Sequence, residues 1–111
     1  MLCIKKVWGE EHVWAATQTY SGKLMRVFPG FQSSLHRHLI KDETFLVLHG
    51  QLALEVEGIC HHLEPIQAMR IQPGQWHRFT NPTRDIVEFI EVGTPHDDRD
   101  VERREISGPL R

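Results

Sequence analysis

The stretch GFQSSLHRHLIKDETFLVLHG, residues 30–50, contains the pattern on which the rest of the interpretation depends. His36 and His38 are separated by one residue, so on a β-strand both imidazoles point to the same side. Glu43 follows shortly after them, and a second stretch, IQPGQWHRFTN at residues 71–81, adds His77 after a Pro-Gly turn. Three imidazoles and one carboxylate form a ligand set for a divalent transition metal and leave coordination positions open, as a catalytic site requires.

Length and composition indicate an ordinary globular chain. The 111 residues leave room for one domain, predicted to span residues 1–111 with a core at about 22–92. Hydrophobic residues make up 40% and charged residues 25% of the chain, and the net charge of −2 favours neither nucleic acid nor an anionic membrane as a partner. No stretch has the length and hydropathy of a membrane span or signal peptide, so a cytoplasmic location is expected. In that compartment Cys3 and Cys60 are expected to stay reduced and structural.

Short extended runs separated by turn signals follow one another along the chain. Residues 43–49 alternate with apolar side chains on both faces, as in a buried strand, and residues 86–92 form the last long strand. Roughly seven to ten short strands at this spacing predict a single antiparallel sandwich or barrel. Before them lies an arm with Trp8 and Trp14, expected to pack over the barrel or a partner subunit. After residue 95 the charged run HDDRDVERREISGPLR is expected to form a turn of helix or a surface tail.

The two histidine-containing stretches resemble the paired motifs of the cupin superfamily. Residues 30–50 meet its first motif, G-x5-H-x-H-x4-E-x6-G, at every position. The second motif, G-x5-P-x-G-x2-H-x3-N, is matched by Gly74, His77 and Asn81, whereas Ile66 and Gln72 stand in place of a glycine and a proline of its turns. The resemblance implies an all-β, double-stranded β-helix or jelly-roll barrel. It also implies one divalent transition metal, Mn, Fe, Zn or Ni, held by His36, His38, Glu43 and His77.

Within the cupins, shorter features are similar to the C-terminal domain of type II phosphomannose isomerases. These features are WGEE near the N-terminus, a Gly-Lys pair before the first motif, HRFTNP after the turn, and IEV on the last strand. In that bifunctional family the domain accompanies a nucleotidyltransferase domain that these 111 residues do not contain. The resemblance implies a sugar or sugar phosphate as the small-molecule substrate.

Aldose–ketose isomerisation also needs a base that carries a proton between two carbons. Glu91 shares a strand face with Val87 and Phe89, so it looks into the site if that face is the barrel interior; otherwise it is a surface carboxylate. His49 shares a face with Glu43 and is a candidate proton relay, the alternative being an ordinary core or turn histidine. The candidates for binding a phosphate, each alternatively a solvated charge, are Lys23, Arg26, Lys41 and Arg78.

Three functions are compatible with these residues. The first is a metal-dependent sugar or sugar-phosphate isomerase, which the phosphomannose isomerase features favour. The second is an Fe(II) dioxygenase, which uses the same ligands on the same fold, and the third is a sugar-binding or sensing cupin without turnover. Fold alone does not choose among them. The apolar faces and open sheet edges expected for so small a barrel also predict a homodimer.

Overall fold

Alternation of inward apolar and outward polar residues produces short strands that pack as two facing antiparallel sheets. The computed structural model describes residues 1–110, and within them it contains thirteen strands and no helix. The strands are β1 (Leu2–Lys6), β2 (Gly9–Ala16), β3 (Ser21–Val27), β4 (Phe31–Gln32), β5 (Leu35–Arg37), β6 (Glu43–His49), β7 (Leu52–Val56), β8 (Ile59–Leu63), β9 (Ala68–Ile71), β10 (His77–Thr80), β11 (Val87–Gly93), β12 (Glu102–Glu105) and β13 (Gly108–Pro109).

The strand order brings segments that are distant in sequence side by side. The first sheet has the order β1-β2-β3-β11-β6-β9, so β11 lies between β3 and β6. In the second sheet β10 pairs with β4 and β5 and also with β7, while β8 pairs with β7, and β12 and β13 pair with β5 and β4. All of these pairings are antiparallel. The predicted all-β jelly-roll architecture is confirmed.

Aromatic rings fill the space between the sheets. The ring centroid of Phe89 lies 4.9 Å from that of Phe45 and 5.1 Å from that of Phe79, and all three side chains are buried. Trp8 packs edge-on against Phe79 with centroids 4.8 Å apart. Edge-to-face arrangements of this kind stabilise a core beyond their area of burial. The core therefore also holds the N-terminal arm in place through Trp8.

Both chain termini form strands. The N-terminal arm is the β1–β2 hairpin at the edge of the first sheet, with Leu2 opposite Val13 and Lys6 opposite Gly9. The charged C-terminal run contributes β12, whose Glu102 pairs with Arg37 of β5. The expected turn of helix in this run is wrong, because backbone pairing with the free edge of β5 satisfies its amides and carbonyls without a helix. No helix in residues 1–110 is long and apolar enough to cross a membrane.

One turn contains a residue in an unfavourable backbone conformation. Gln67 N–H donates to the carbonyl of Glu64 over 3.0 Å, which closes a turn with Pro65 and Ile66 at its centre. Ile66 has φ of 72°, in the left-handed region that the third position of a type II turn requires. The position is the one where the family motif has glycine, and a β-branched side chain is strained there.

Replacing Ile66 by glycine is therefore expected to stabilise the protein by about 1 kcal/mol, since release of backbone strain exceeds the extra chain entropy that glycine loses. Ile66 is 76% exposed, so little packing is lost. Urea unfolding followed by circular dichroism measures the change. The matched control is Ile59→Gly, at an exposed isoleucine in β8, which is expected to destabilise the protein. An Ile66→Gly variant no more stable than wild type would contradict the assignment of strain.

Candidate metal centre

Three histidines converge between the sheets. His36 on β5 and His77 on β10 are directly opposite each other in the ladder, and their ring centroids lie 4.3 Å apart. His38, two residues after His36, points to the same side, with its ring centroid 5.3 Å from His36 and 5.8 Å from His77. One ligand atom from each of the three lies within 4.8 Å of the others. The spacing in sequence and the strand pairing thus assemble a cluster that could hold a metal ion.

The hydrogen bonds of these rings orient them for ligation. The Nδ1 atoms of His36, His38 and His77 lie 2.8, 2.8 and 2.9 Å from the backbone carbonyl oxygens of Ser34, Asp100 and Gln75. A carbonyl only accepts, so each Nδ1 carries the proton and donates it. The Nε2 atom of each neutral ring is then left with its lone pair facing the cluster. This arrangement fixes the tautomer that a metal-binding histidine needs.

Glu43 completes the cluster from β6. One carboxylate oxygen lies 3.0 Å from His77 Nε2 and 3.9 Å from His38 Nε2, and the other lies 3.2 Å from Lys41 Nζ. These contacts are short but poorly aligned as hydrogen bonds, so both carboxylate oxygens and His77 Nε2 are buried without a hydrogen-bond partner. Unpaired buried polar atoms are costly, and a divalent cation among them would satisfy all three. The donor set therefore fits the metal that the sequence resemblance implies.

The protonation states suit a cation as well. Burial, and then the proximity of the His77 ring, lowers the pKa of His36 to about 3, and burial also lowers the pKa of His38, so the rings of His36 and His38 are neutral near pH 7. Burial by itself raises the pKa of Glu43, but the contact with His77 and the charge of Lys41 outweigh it, so the pKa is lowered and the carboxyl group is ionised. Neutral imidazoles and an ionised carboxylate are the forms that bind metals.

A second buried carboxylate lies one strand away. Glu91 on β11 is 6% exposed and accepts a hydrogen bond of 3.0 Å from Lys41 Nζ. Lys41 thus joins Glu91 to Glu43, and Lys23 Nζ lies 3.8 Å from the same oxygen of Glu91 while also pairing with Glu11. Burial, and then the charge of Glu43, raises the pKa of Glu91 to about 7. Of the two positions that the sequence left open for Glu91, interior and surface, the structure has the interior one.

The inward rows of three strands explain how a polar site forms beside an apolar core. On each of the strands β6, β10 and β11, the side chains that point into the barrel include an aromatic residue and, two positions away, an ionisable residue. The pairs are Phe45 and Glu43, Phe79 and His77, and Phe89 and Glu91. The three phenylalanines form an aromatic layer beneath the polar layer of Glu43, His77 and Glu91, and this aromatic layer excludes water from that side of the site. A cavity of about 560 Å³ opens above it, with walls that include Glu11, Lys23, His36, His38, Lys41 and Glu91.

A histidine–aspartate pair at this cavity is missing from the sequence prediction. His96 lines the cavity, its Nδ1 accepts a hydrogen bond of 3.3 Å from Lys41 Nζ, and its Nε2 donates to Asp98 over 2.8 Å. Its ring centroid lies 5.9 Å from that of His38. The run containing His96 reads as a surface tail, so the pair was not expected here. One signal in the sequence pointed to His96: it follows Glu91 by only five residues, and Glu91 is the last inward-facing residue of the last long strand.

Asp100 connects the C-terminal segment to the metal centre. Its carboxylate accepts hydrogen bonds from the backbone N–H groups of Leu39, Ile40 and Lys41 at 2.8–3.2 Å. Its own backbone carbonyl accepts the proton of His38 Nδ1. A single residue therefore orients one histidine of the cluster and holds the loop that carries the buried lysine.

Replacing Asp100 by alanine is expected to weaken metal binding by about 10- to 100-fold, because outer hydrogen-bond partners of metal-binding groups contribute that much to affinity. The loss arises because the loop of residues 39–41 is released and the carbonyl that orients His38 shifts. Competition with a fluorescent chelator measures the affinity. Asp97→Ala is the matched control, since Asp97 lies in the same segment but pairs only with the exposed Arg99. Equal affinities for both variants would contradict the role of Asp100.

The remaining predicted site residues divide into two groups. Lys23 and Lys41 line the cavity, although carboxylates already neutralise both. Arg26 pairs with Glu10 and Glu88 on the outer face of the first sheet, and Arg78 pairs with Glu105 outside the cavity lining, so neither reaches the site.

His49 does not reach the site either. It is exposed at the far end of β6, about 20 Å along the strand from Glu43. The predicted common face with Glu43 is also lost, because a bulge at Leu48 shifts the register and places His49 opposite Glu88. This removes the basis for a relay role of His49.

Comparison with known proteins shows the family. The family model described as the cupin domain (Cupin_2) matches residues 23–93, which is more than half of the chain. The chain belongs to the cupin family, as the two motifs predicted.

Two further comparisons involve proteins whose names refer to a sugar phosphate. A mannose-1-phosphate guanylyltransferase of Sinorhizobium fredii is 26% identical over 87 residues, which are 78% of this chain and 17% of that protein. The chain thus spans less than a fifth of that relative's length. A solved structure from Acidithiobacillus ferrooxidans carries the name of a sugar phosphate isomerase. It is 20% identical to this chain, with a TM-score of 0.65, and the alignment covers 71% of this chain and 52% of that one.

A second similar structure has a comparable size. KdgF from a Halomonas species has a TM-score of 0.74 at 21% identity, and the alignment covers 81% of both chains. At these identities the solved structures establish the fold of the chain. The match to a guanylyltransferase agrees with the predicted similarity to a domain that accompanies a nucleotidyltransferase.

Proposed function

We propose that this cupin is a metal-dependent isomerase of a sugar or sugar phosphate, with His36, His38, Glu43 and His77 as the metal ligands. The observation that carries the proposal is Glu91, a buried carboxylate in the wall of the cavity that His36 and His38 also line, joined to Glu43 through Lys41. Aldose–ketose isomerisation needs a base beside the electrophilic centre. A cupin that acts by oxygen activation, or that only binds sugar, has no such need.

In this proposal Glu91 moves the proton. Its carboxylate, with a pKa near neutrality, removes a proton from the carbon next to the sugar carbonyl and returns it to the former carbonyl carbon, while the proton of the adjacent hydroxyl moves to the former carbonyl oxygen. Lys41 stabilises the ionised form of Glu91 through its hydrogen bond, and it holds Glu43 on its other side. A divalent metal, when bound, supplies the positive charge that polarises the two adjacent substrate oxygens. The aromatic layer beneath Glu43 and Glu91 excludes water from the reacting carbons.

The names of the relatives and the charges in the cavity support a carbohydrate substrate. One relative is named for mannose 1-phosphate and one similar structure for a sugar phosphate. Lys23 and Lys41 are already paired with carboxylates, so a phosphate group gains little from them. Arg103 lines the cavity, is exposed, and forms no ion pair within residues 1–110. A phosphate would therefore be directed toward Arg103, while the neutral end of the sugar lies at the histidines.

The test is turnover without oxygen. Protein reconstituted separately with manganese, iron, zinc or nickel is incubated anaerobically in deuterium oxide with mannose, fructose and their 6-phosphates. The expected result is interconversion of aldose and ketose with deuterium incorporated at the carbon that exchanges its proton. Turnover that requires oxygen would favour the Fe(II) dioxygenase, and saturable sugar binding without exchange would favour a sensing protein. Either outcome would overturn the isomerase proposal.

The same proposal includes a homodimer formed through the outer face of the first sheet. Leu24, Ile90 and Leu46 are cross-strand neighbours on that face. Leu48 and Val92 beside them are 42% and 43% exposed. A contiguous apolar sheet face is suited to self-association. Light scattering that gives the mass of a monomer at micromolar concentration would exclude it. The cytoplasmic location stays a prediction.

A further inference from the structure

A second group of metal-ligand side chains lies on the outer face of the β1–β2 hairpin. Cys3 on β1 and His12 on β2 are directly opposite each other in the strand ladder, and Glu10 precedes His12 by two residues on the same face. Cys3 Sγ lies 3.8 Å from His12 Nε2, and His12 Nε2 lies 2.9 Å from one oxygen of Glu10. One ligand atom of each residue lies within 4.8 Å of the other two.

These separations are close to those of a tetrahedral zinc site. With usual zinc–sulfur, zinc–nitrogen and zinc–oxygen bond lengths, two ligand atoms lie about 3.3–3.6 Å apart. The observed separations of 3.8 and 2.9 Å fall on either side of this range, so small rotations of the side chains suffice. Thiolate, imidazole and carboxylate are also the three donor types that zinc accepts in proteins.

We infer that Cys3, Glu10 and His12 bind a thiophilic divalent cation, zinc by preference, at a site separate from the cupin centre. The hairpin supplies three ligands, and water takes the fourth position because Cys3 is exposed. This site lies on the face of the hairpin opposite to the cavity, which Ile4, Glu11 and Val13 line from the other side. A cation bound here fixes β1 against β2 and so holds one wall of the cavity.

Two cations of the protein already contact Glu10, but they leave room for the metal. Lys5 Nζ donates to one oxygen of Glu10 over 2.8 Å, and this bond remains when the other oxygen binds a cation. Arg26 contacts the second oxygen of Glu10 at 3.4 Å, which is a weak contact. Arg26 also pairs with Glu88 at 3.2 Å, and it keeps this pair when a cation displaces it from Glu10. The Arg26–Glu10 contact is half-buried but long, so losing this contact opposes metal binding only weakly.

The proton balance of the binding step follows from the ligand chemistry. The thiol of Cys3 releases one proton as its sulfur binds the cation, since the thiolate is the ligand. His12 binds through the Nε2 lone pair, so the proton that a neutral ring keeps lies on Nδ1. The contact with Lys5, and then that with His12, lowers the pKa of Glu10, so its carboxyl group is already ionised. Binding therefore releases protons, and the affinity falls as the pH is lowered.

Cobalt(II) distinguishes this site from the cupin centre, because only Cys3 among the ligands of either site carries sulfur. Titration of metal-free protein with cobalt chloride is expected to show two equivalents per chain. It is also expected to show a near-ultraviolet charge-transfer band from thiolate to cobalt. Cys3→Ser is expected to lose the band and one equivalent, and Glu10→Gln to shift the midpoint of the band to higher cobalt concentration.

The matched control is Cys60→Ser. Cys60 Sγ lies 3.9 Å from His62 Nε2 on β8, a cysteine–histidine pair as close as Cys3 and His12 but outside the three-ligand groups of residues 1–110. The control variant is expected to keep both equivalents and the band. A wild-type titration without the band, a band that survives in Cys3→Ser, or a midpoint unchanged in Glu10→Gln would each overturn the inference. None of these outcomes depends on isomerase activity, so they leave the proposed function untouched.

Discussion

Replacing His77 by alanine is expected to abolish stoichiometric metal binding at the cupin centre. His77 is 1% exposed, and its Nε2 atom lies 3.0 Å from Glu43 without a partner of acceptable geometry. Loss of a hydrogen-bond partner of a ligand lowers metal affinity by about 10- to 100-fold, and loss of a direct ligand should lower it further. Metal content after dialysis, measured by plasma mass spectrometry, is expected to fall from about one ion per centre to a trace.

His49→Ala is the matched control for this experiment. It removes an exposed histidine from the strand that carries Glu43, and it is expected to leave the metal content unchanged. Ions bound at the hairpin are removed from both measurements by making each change in the Cys3→Ser background. Equal metal content in the His77 and His49 variants would contradict the assignment of the centre. A circular dichroism melt of each variant separates loss of the metal from loss of the fold.

The second large effect is expected at Glu91. Glu91→Gln preserves the shape of the side chain and an oxygen for the hydrogen bond from Lys41, but it cannot accept a proton from carbon. If Glu91 is the base, kcat for isomerisation is expected to fall by about 100- to 10,000-fold, the usual contribution of general base catalysis. Metal content is expected to stay at the wild-type level, because Glu91 is not a ligand in the proposal.

Glu88→Gln is the control on the same strand. Glu88 points to the opposite face of β11 and pairs with Arg26 at the surface, so its loss is expected to leave kcat unchanged. If both variants retain wild-type kcat, Glu91 is not the base. If Glu91→Gln instead loses its metal, the carboxylate has a structural role that the proposal does not include.

The pH dependence of catalysis provides a second measurement on Glu91. The base must be ionised, so kcat/KM is expected to rise with pH and to level off above the pKa of Glu91. Burial and the charge of Glu43 raise that pKa to about 7 in the metal-free protein. A bound cation offsets the charge of Glu43, so the acid limb of the metal-loaded enzyme is expected at or below pH of about 7. The residual activity of Glu91→Gln should lack this limb.

Much of the cupin centre could be predicted because its ligands follow from local spacing. His36 and His38 point the same way on any extended segment, and alternation puts Glu91 on one face with Val87 and Phe89, although it does not say that this face is the interior. His49 shows the limit of the same reasoning. Alternation identifies the face of a side chain only while the strand stays regular, and a bulge at Leu48 places His49 opposite Glu88, at the end of β6 away from Glu43.

The amino-acid sequence by itself determined the family, the barrel and the four proposed metal ligands, because two motifs with defined spacing are properties of short segments. Only the tertiary structure decided which charges surround the site. The link from Lys41 to Glu91 and His96 joins residues 50 and 55 positions apart, and Asp100 contacts a loop some 60 positions earlier. The cluster of Cys3, Glu10 and His12 likewise requires the pairing of β1 with β2. Such contacts depend on strand order and register, which the side chains of the whole barrel set together.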